Sequence, residues 1–494
     1  MHRLTALVIS LALLVGLFVY APQSVRALEL APRYIGPGGG SGECGSPFYE
    51  TNGSADNVLF QTAVNDQDSD IDNILYVCPG TYDIKDYIEV GGDLTIESVA
   101  GAAATVLDSD GTSRILYLNG DSIIRGLTFK DGDADGGDGG AIRSANLGDL
   151  TVEDSVFVNN QGFDGGAIFA DGFVINIRRS TFTGNSADGE GGAIMFNYDL
   201  DLVLDSTFTN NHAEGAGGAI YVYDDILDDN EDGESGLFGN TFSGNTTDDD
   251  GGAVYVNEDF ESGSQMIDNV FSGNTAGDDG GAVMIWYDMK EGTLISGNTF
   301  SKNKADLDNE NDGEGGGLQI DDLLAGTITN NRFLNNEAGY GGGLYSEDLT
   351  GTAVITMNTF RSNVATADGG GIWLDDDGYD SSELAIFTKN SFRGNRASDN
   401  GGALYLSFTN TEVGPSFFTR NMYRGNRAAL GGAIAFKGFG SVDVGEVAGD
   451  CSAPLRSSRI AVRIFKKDRF VSNRATRPRR TANVGLMACE ADLR

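Results

Sequence analysis

The stretch Gly165-Gly166-Ala167-Ile168 through Phe182-Thr183-Gly184-Asn185 contains two short patterns that alternate along most of the chain. The first pattern is a glycine pair followed by Ala or Gly and an aliphatic residue. It begins at Gly139, Gly165, Gly191, Gly217, Gly251, Gly280, Gly315, Gly341, Gly369, Gly401 and Gly431. The intervals of 26 to 35 residues are typical of solenoids and other arrays, in which each unit buries its apolar face against its neighbours.

The second pattern is an aromatic residue three positions before an asparagine. Its aromatic residues are Phe157, Phe182, Phe208, Phe242, Phe271, Phe300, Phe333, Phe360, Phe392, Tyr423 and Phe470. Short apolar segments such as Ile220-Tyr221-Val222 and Leu202-Val203-Leu204 lie between the copies of the two patterns. They are too short for helices, are rich in β-branched and aromatic residues, and are bounded by Gly, Asn and Asp, so they predict strands.

Stacked copies of such a unit predict an all-β parallel β-helix, a single-chain solenoid whose coils pair at about 4.8 Å. The phenylalanines should then form an internal stack, and the asparagines that follow them an amide ladder from coil to coil. A second Ser/Asn column stands two residues before each Phe, from Ser180 to Asn421. A β-propeller is disfavoured, because each blade needs four strands. A repeat of 26 residues is too short for them.

The alternation of GGA[ILV] with FxxN resembles the repeat of the polymorphic outer-membrane proteins, and the layout is similar to the pectin-lyase-like right-handed parallel β-helix. The resemblance covers roughly Gly139 to Asn473. It implies a right-handed solenoid and a surface adhesin.

The ends of the chain predict export and capping. Residues 1–27 contain an apolar run, Leu4 to Tyr20, and then Val25-Arg26-Ala27, which favours a cleaved signal peptide over a single membrane anchor. Residues 28–55 are interpreted as a flexible lead-in and 56–440 as the β-helix. A short N-terminal helix starting near Asp56 should cap its first coil. Residues 441–494 are interpreted as a last coil with a basic tail.

Four cysteines in an exported chain favour disulfides. Cys44 and Cys78 bracket the N-terminal cap, whereas Cys451 and Cys489 bracket the tail, so these two pairings are predicted among three arrangements.

The 73 acidic and 33 basic residues give a formal net charge of −40, which disfavours nucleic acid and anionic lipid as partners. Between Arg456 and Arg480, basic residues outnumber acidic ones. We interpret this segment as a solvated last coil and tail; the alternative is a tether to an anionic polymer. Carboxylates also precede most of the glycine pairs. These candidate calcium ligands are Asp138, Asp164, Glu190, Asp250, Asp279, Glu314 and Asp368.

A second acidic column is predicted on the strand after the glycines, at Asp171, Asp199, Asp224, Glu258, Asp288, Asp321, Glu347 and Asp375. Stacked like charges repel, so either solvation or Ca²⁺ between coils must offset the repulsion.

Machinery for catalysis is sparse. His212 is the only histidine after residue 27, and Arg178, Arg179 and Lys290 have no evident constellation around them. The sequence therefore predicts a secreted or cell-surface protein, a monomer without a transmembrane segment in its mature form, that adheres to an extracellular polysaccharide or another repetitive surface ligand. The alternative is an exported polysaccharide lyase or glycoside hydrolase.

Overall fold

Three long parallel sheets run along the chain, and each coil contributes one strand to each sheet in the order A, B, C. The computed structural model describes residues 33–37, 44, 49–51, 56–65, 73–145, 148–172, 174–227, 235–305, 313–349, 353–374, 386–407, 417–437, 442–443, 448–449, 465–466, 468–476 and 487–489. The predicted signal peptide, residues 1–27, lies outside them.

Within the described residues, sheet A has 16 strands, which in spatial order are Tyr49–Thr51, Arg33–Pro37, Ile74–Val77, Leu94–Ser98, Ser122–Arg125, Leu150–Glu153, Ile175–Arg178, Leu202–Leu204, Gly236–Phe238, Gln265–Ile267, Leu294–Ser296, Thr327–Thr329, Val354–Thr356, Ile386–Thr388, Phe417–Thr419 and Phe465–Lys466. Sheet B, counted over the same residues, has 14 strands: Gly80–Asp83, Thr105–Asp108, Thr128–Lys130, Val156–Val158, Thr181–Thr183, Thr207–Thr209, Thr241–Ser243, Val270–Ser272, Thr299–Ser301, Arg332–Leu334, Thr359–Arg361, Ser391–Arg393, Met422–Arg424 and Arg469–Val471.

Sheet C, again in the described part of the chain, has 14 strands: Ile88–Val90, Leu116–Leu118, Ile142–Ser144, Ile168–Ala170, Ile194–Phe196, Ile220–Val222, Val254–Val256, Val283–Met289, Leu318–Leu323, Leu344–Leu349, Ile372–Leu374, Leu404–Ser407, Ile434–Lys437 and Met487–Cys489. Two short ladders, in different sets of coils, lie between the sheet B strand and the sheet C strand. The first contains Gln161–Gly162, Ser186–Ala187, His212–Ala213 and Thr246–Thr247; the second contains Glu337–Ala338, Val364–Ala365, Arg396–Ala397, Arg427–Ala428 and Arg474–Ala475. An antiparallel pair, Val442–Asp443 with Ala448–Gly449, and a 3₁₀ turn, Ala102–Ala104, complete the β part.

The predicted phenylalanine stack is confirmed and starts one coil earlier than expected, at Phe129. Successive rings from Phe129 to Phe470 lie 4.6 to 5.0 Å apart and within 8° of parallel. Because these residues pair in register between parallel strands, each ring lies over the next at the spacing of the strands.

The asparagine ladder is confirmed as well. Asn274 shows the pattern: its Nδ2 donates to the carbonyl of Phe242 at 3.2 Å and to Oδ1 of Asn303 at 3.1 Å. Its Oδ1 accepts both the backbone N–H and the Nδ2 of Asn245, each at 3.0 Å. The ladder therefore satisfies the buried backbone at the corner after sheet B, where the chain changes direction.

The ends match the predictions in part. The helix Asn57–Asn65 packs Phe60 and Ala63 into the core. The carboxylate of Asp56, just before the helix, accepts a hydrogen bond from the backbone N–H of Asp83 at 3.0 Å. The Cys44–Cys78 disulfide is present, with its Cα atoms 5.6 Å apart. The Cys451–Cys489 prediction lies outside the description, because Cys451 is not among the described residues.

The boundary at residue 56 needs one correction. Arg33–Pro37 and Tyr49–Thr51, predicted as flexible lead-in, are the first strands of sheet A and pair in parallel with each other. Arg33–Pro37 also pairs with the strand Ile74–Val77. The solenoid therefore begins within residues 28–55, because the sheet hydrogen bonds extend beyond the part of the sequence that repeats.

Candidate functional site

The carboxylates that precede the glycine pairs form one column, as predicted, but most of them are engaged by the backbone. Oδ1 of Asp164 accepts the N–H of Glu190 at 2.9 Å. Asp250, Asp279 and Asp368 accept the N–H at the same position of the following coil at 2.9, 2.7 and 2.7 Å. These side chains act as a ladder at the glycine turn and need no ion to explain their presence.

An aromatic layer lies under this column, on the outer side of sheet C. Phe169, Met195, Tyr221, Tyr255 and Met284 are at most 7% exposed. Burial against this layer raises the pKa of the column carboxyls, because it disfavours their charged form. The pKa rises to about 7 for Glu190, to about 8 for Asp250 and to about 9 for Glu314.

Only part of the column brings acidic oxygens close enough together for a metal. Asp250 lies with Asp249 and Asp278, with one oxygen of each within 4.8 Å of the others. Asp138 instead forms an ion pair with Arg143, whose guanidinium lies over the ring of Phe169. Calcium binding by the column stays a prediction of the sequence, with Asp250 as the member best placed for it.

The raised pKa values predict that the folded chain loses stability as the pH rises. In the unfolded chain, these carboxyls ionise near their ordinary values of about 4. Their stabilising contribution is complete below that pH and is lost as the pH rises through the folded values of about 7 for Glu190 and about 9 for Glu314. We expect the midpoint temperature of thermal unfolding to decrease as the pH is raised from 5 to 9.

The substitution Glu314→Gln isolates this effect. The amide oxygen of glutamine can still accept the bonds from Gln319 and from the Tyr345 hydroxyl, but glutamine cannot ionise. The variant should unfold at a higher temperature than the wild type at pH 9 and at the same temperature at pH 5. Glu291→Gln, at an exposed turn, is the matched control. A wild-type midpoint that rises with pH would contradict the burial argument.

The second acidic column differs from the prediction. Pairing of Leu200 with Ile226, and of Ile226 with Phe260, sets the register. The column that results contains Asp199, Asp225, Asp259 and Asp288, and it continues through Asp322 and Asp348. Asp224, Glu258, Asp321 and Glu347 belong to the neighbouring column, and Asp171 is level with Asn197; Asp375 lies outside the described residues. The prediction failed in two places: Asp224 and Glu258 precede the column residues by one position, and between Asp288 and Asp322 the strands shift by one residue at a bulge.

That bulge places two large aromatic residues at the surface. Ile285 pairs with Ile320, and Asp288 pairs with Asp322. Between these two pairs, one strand has two residues, Trp286 and Tyr287, and the facing strand has one. Trp286 is 40% exposed and Tyr287 is 46% exposed. Bulges are common beside functional sites, where they redirect side chains.

A third exposed ring lies two coils away. Tyr223 is 50% exposed, and Asn257 in the coil between donates to its carbonyl at 3.0 Å. Tyr223 and Trp286 are therefore separated by about twice the strand spacing, ~10 Å. We call Tyr223, Trp286, Tyr287 and the adjoining residues Asp225, Asp259, Glu261 and Lys290 the aromatic–carboxylate surface.

The charged members of this surface are three carboxylates and one cation, Lys290. The Lys290 ammonium lies between the carboxylates of Asp259 and Glu261, with the latter at 2.5 Å. These bonds raise the pKa of Lys290, so it is held as a cation and is unsuited to act as a general base. Burial raises the pKa of Asp225 to about 6. The surface offers hydrogen-bond acceptors beside apolar rings.

The prediction from sequence missed these aromatic residues. The signal was present, since the strand Val283–Met289 contains Ile-Trp-Tyr-Asp, a run that occurs once in the sequence, but a bulge cannot be located from one strand alone. His212, the candidate histidine, occupies an ordinary ladder position, where its Nδ1 contacts Oγ1 of Thr246 at 3.0 Å. Another acidic column, Asp93, Asp121 and Asp149, lines a cavity of about 390 Å³, and its carboxylates also accept backbone N–H groups.

Comparison with protein families agrees with the coil geometry. Residues 204–382 match the family described as right handed beta helix region. The fold is a right-handed parallel β-helix. Within this β-helix, residues 179–197 and 391–407 match the Chlamydia polymorphic membrane protein repeat. No curated protein and no solved structure gives a significant match to the chain.

The two family matches suggest a cell-surface or autotransporter-like β-helix protein. In the described part of the chain, no helix has the length and apolar character needed to cross a bilayer.

Proposed function

We propose that the chain is a surface-associated β-helix that binds an extracellular polysaccharide through the aromatic–carboxylate surface. The observation that supports this proposal most is the bulge at Trp286 and Tyr287, which exposes two adjacent rings on an otherwise regular strand. Tryptophan and tyrosine combine a large apolar face with a polar edge, which suits a ligand that has both.

A sugar ring has those two properties. Its C–H faces pack on an aromatic ring, while its hydroxyl groups donate hydrogen bonds to carboxylate oxygens. The distance of ~10 Å between the coils of Tyr223 and Trp286 is comparable with the length of a disaccharide. One extended glycan chain can therefore contact both rings with every second sugar.

The charge of the surface favours a neutral glycan. Asp225, Asp259 and Glu261 face a single cation, Lys290, so a polyuronate chain would meet net repulsion here. We expect binding rather than β-elimination, because Lys290 lies between two carboxylates that hold it as a cation, and a cation cannot serve as the base.

The test is affinity electrophoresis or surface-retention binding of the full secreted chain to cellulose, xylan, galactomannan and polygalacturonate. We expect retention by a neutral glycan and about a 30-fold loss in the variant Trp286→Ala with Tyr287→Ala, the effect of a hot spot worth ~2 kcal/mol. Both residues are exposed, so the thermal midpoint should change little.

Tyr87→Ala with Phe163→Ala is the matched control, because these rings are 45% and 47% exposed on other coils. The control should bind as the wild type does. Retention of polygalacturonate alone, or equal binding by the two double variants, would contradict the proposal.

A further inference from the structure

The outer face of sheet B changes its chemistry towards the C-terminal coils. In earlier coils its outward positions are mostly Thr, Ser or Val, as in Thr207–Thr209. From Arg332 onward, arginine occupies many of them. Arg361, Arg393 and Arg424 are paired in register in successive strands, so they form one exposed column.

A second arginine column lies three residues further along each coil. Arg396, Arg427 and Arg474 are paired in the short ladder after the asparagine corner, and all three are exposed. We call these two columns, Arg361, Arg393, Arg424, Arg396, Arg427 and Arg474, the arginine grid. Neighbours within a column are separated by the strand spacing, about 4.8 Å.

The described part of the chain does not neutralise the grid. Among the described residues, no carboxylate lies within ion-pair distance of a grid arginine, although Lys85, Arg125 and Lys290 each have two such partners. Like charges directly opposite in a sheet are destabilising, by about 1 kcal/mol per pair even at the dielectric constant of water. An unpaired stack therefore has no explanation in stability, in a chain whose net charge is −40.

We propose that the arginine grid binds a linear polyanionic polysaccharide, carboxylated or sulfated. This second surface is separate in residues from the aromatic–carboxylate surface and does not depend on the function proposed for it. The guanidinium group matches planar anionic groups with two parallel hydrogen bonds. One sugar of an extended 1,4-linked chain advances by a length close to one strand spacing, so successive acidic sugars can meet successive arginines.

The chemistry of the grid favours a glycan over nucleic acid. Single-stranded nucleic acid is bound on stacked aromatic rings, whereas the exposed large apolar residues in the described coils from Arg332 onward are Met357, Met422 and Val471. Each strand of duplex DNA has one phosphate per ~3.4 Å of helix axis and winds around that axis, which does not match straight columns at the strand spacing. A lipid surface has mobile charges and would not require arginines in register.

The test measures the affinity of the full secreted chain for heparin and alginate at several salt concentrations. We expect each double variant, Arg393→Gln with Arg424→Gln or Arg396→Gln with Arg427→Gln, to bind about tenfold more weakly. The four substitutions together should weaken binding about 100-fold. The slope of log affinity against log salt should become shallower by about one for each ionic contact removed.

The variant Lys85→Gln with Arg178→Gln is the control, because it removes the same charge from N-terminal coils. It should bind heparin as the wild type does. The proposal is overturned if this control weakens binding as much as the grid variants, or if neither glycan binds. It is also overturned if a DNA duplex or phosphatidylglycerol vesicles bind more tightly than both glycans and depend on the same arginines.

Discussion

Replacing Asn274 with alanine should lower the free energy of unfolding by at least ~3 kcal/mol. The side chain is fully buried and takes part in four hydrogen bonds. Its removal leaves the backbone N–H and the Nδ2 of Asn245, the carbonyl of Phe242 and Oδ1 of Asn303 each without one of its bonds. A buried group that loses its partner costs about 1 to 3 kcal/mol.

Urea unfolding followed by circular dichroism measures this effect. Asn176→Ala is the matched control, because Asn176 is only partly buried on the outer face of sheet A and bonds Asp201 there. The control should change stability by about 0.5 to 1 kcal/mol. Midpoints that coincide for the two variants would show that the ladder does not hold the coils together.

The substitution Gly252→Ala should destabilise the fold strongly. A Cβ at this second glycine of the pair would lie 2.3 Å from the carbonyl oxygen of Gly281 and 2.7 Å from the carbonyl carbon of Thr275. Both obstacles are backbone atoms of the next coil, whose position is fixed by the parallel ladders. Overpacking of this kind typically costs 1 to 3 kcal/mol, and about 4 where the neighbours cannot move.

Gly273→Ala is the control for backbone conformation. Gly273 has a φ of +67° and no atom near its Cβ position, so alanine there has only the strain of the left-handed region, about 1 to 2 kcal/mol. We expect Gly252→Ala to lower the thermal midpoint at least about twice as far as Gly273→Ala. Equal shifts of the two thermal midpoints would show that close contact with the next coil is not the reason for the glycine at Gly252.

The repeats specify the interior of this fold almost completely. Because coils pair in register, the prediction that Phe182 lies over Phe208, and Asn185 beside Asn211, follows from their equal place in the repeat. The solenoid, its capping helix and one disulfide were predictable for the same reason: each depends on local pattern or on identical positions.

The outer surface was less predictable, because it depends on register at a resolution of one residue. Asp288 is eight residues after Gly280, whereas its partner Asp322 is seven after Gly315. The bulge at Trp286 and Tyr287 takes up the difference, and sequence spacing alone does not locate it. The raised pKa of Glu314 also depends on its burial among the stacked coils, which spacing in the sequence does not show.

The arginine grid was visible in the sequence but not recognised. Arg361, Arg393 and Arg424 each follow the stacked aromatic residue directly, and Arg396, Arg427 and Arg474 each follow the ladder asparagine. The net charge of −40 gave no indication of these columns, because it describes the whole chain and not one face. In a solenoid, the column is the informative unit for charge.

The central claim is that this β-helix binds polysaccharide without cleaving it. The most direct measurement is mass spectrometry of the glycan recovered after incubation with the full-length chain, in the presence and absence of millimolar Ca²⁺. Binding without cleavage predicts that the neutral glycan retained by the chain is recovered at its original length, and that polygalacturonate supplied beside it is also unchanged. Shortened chains, with new reducing or unsaturated ends, would contradict the claim and identify the protein as a polysaccharide lyase or hydrolase.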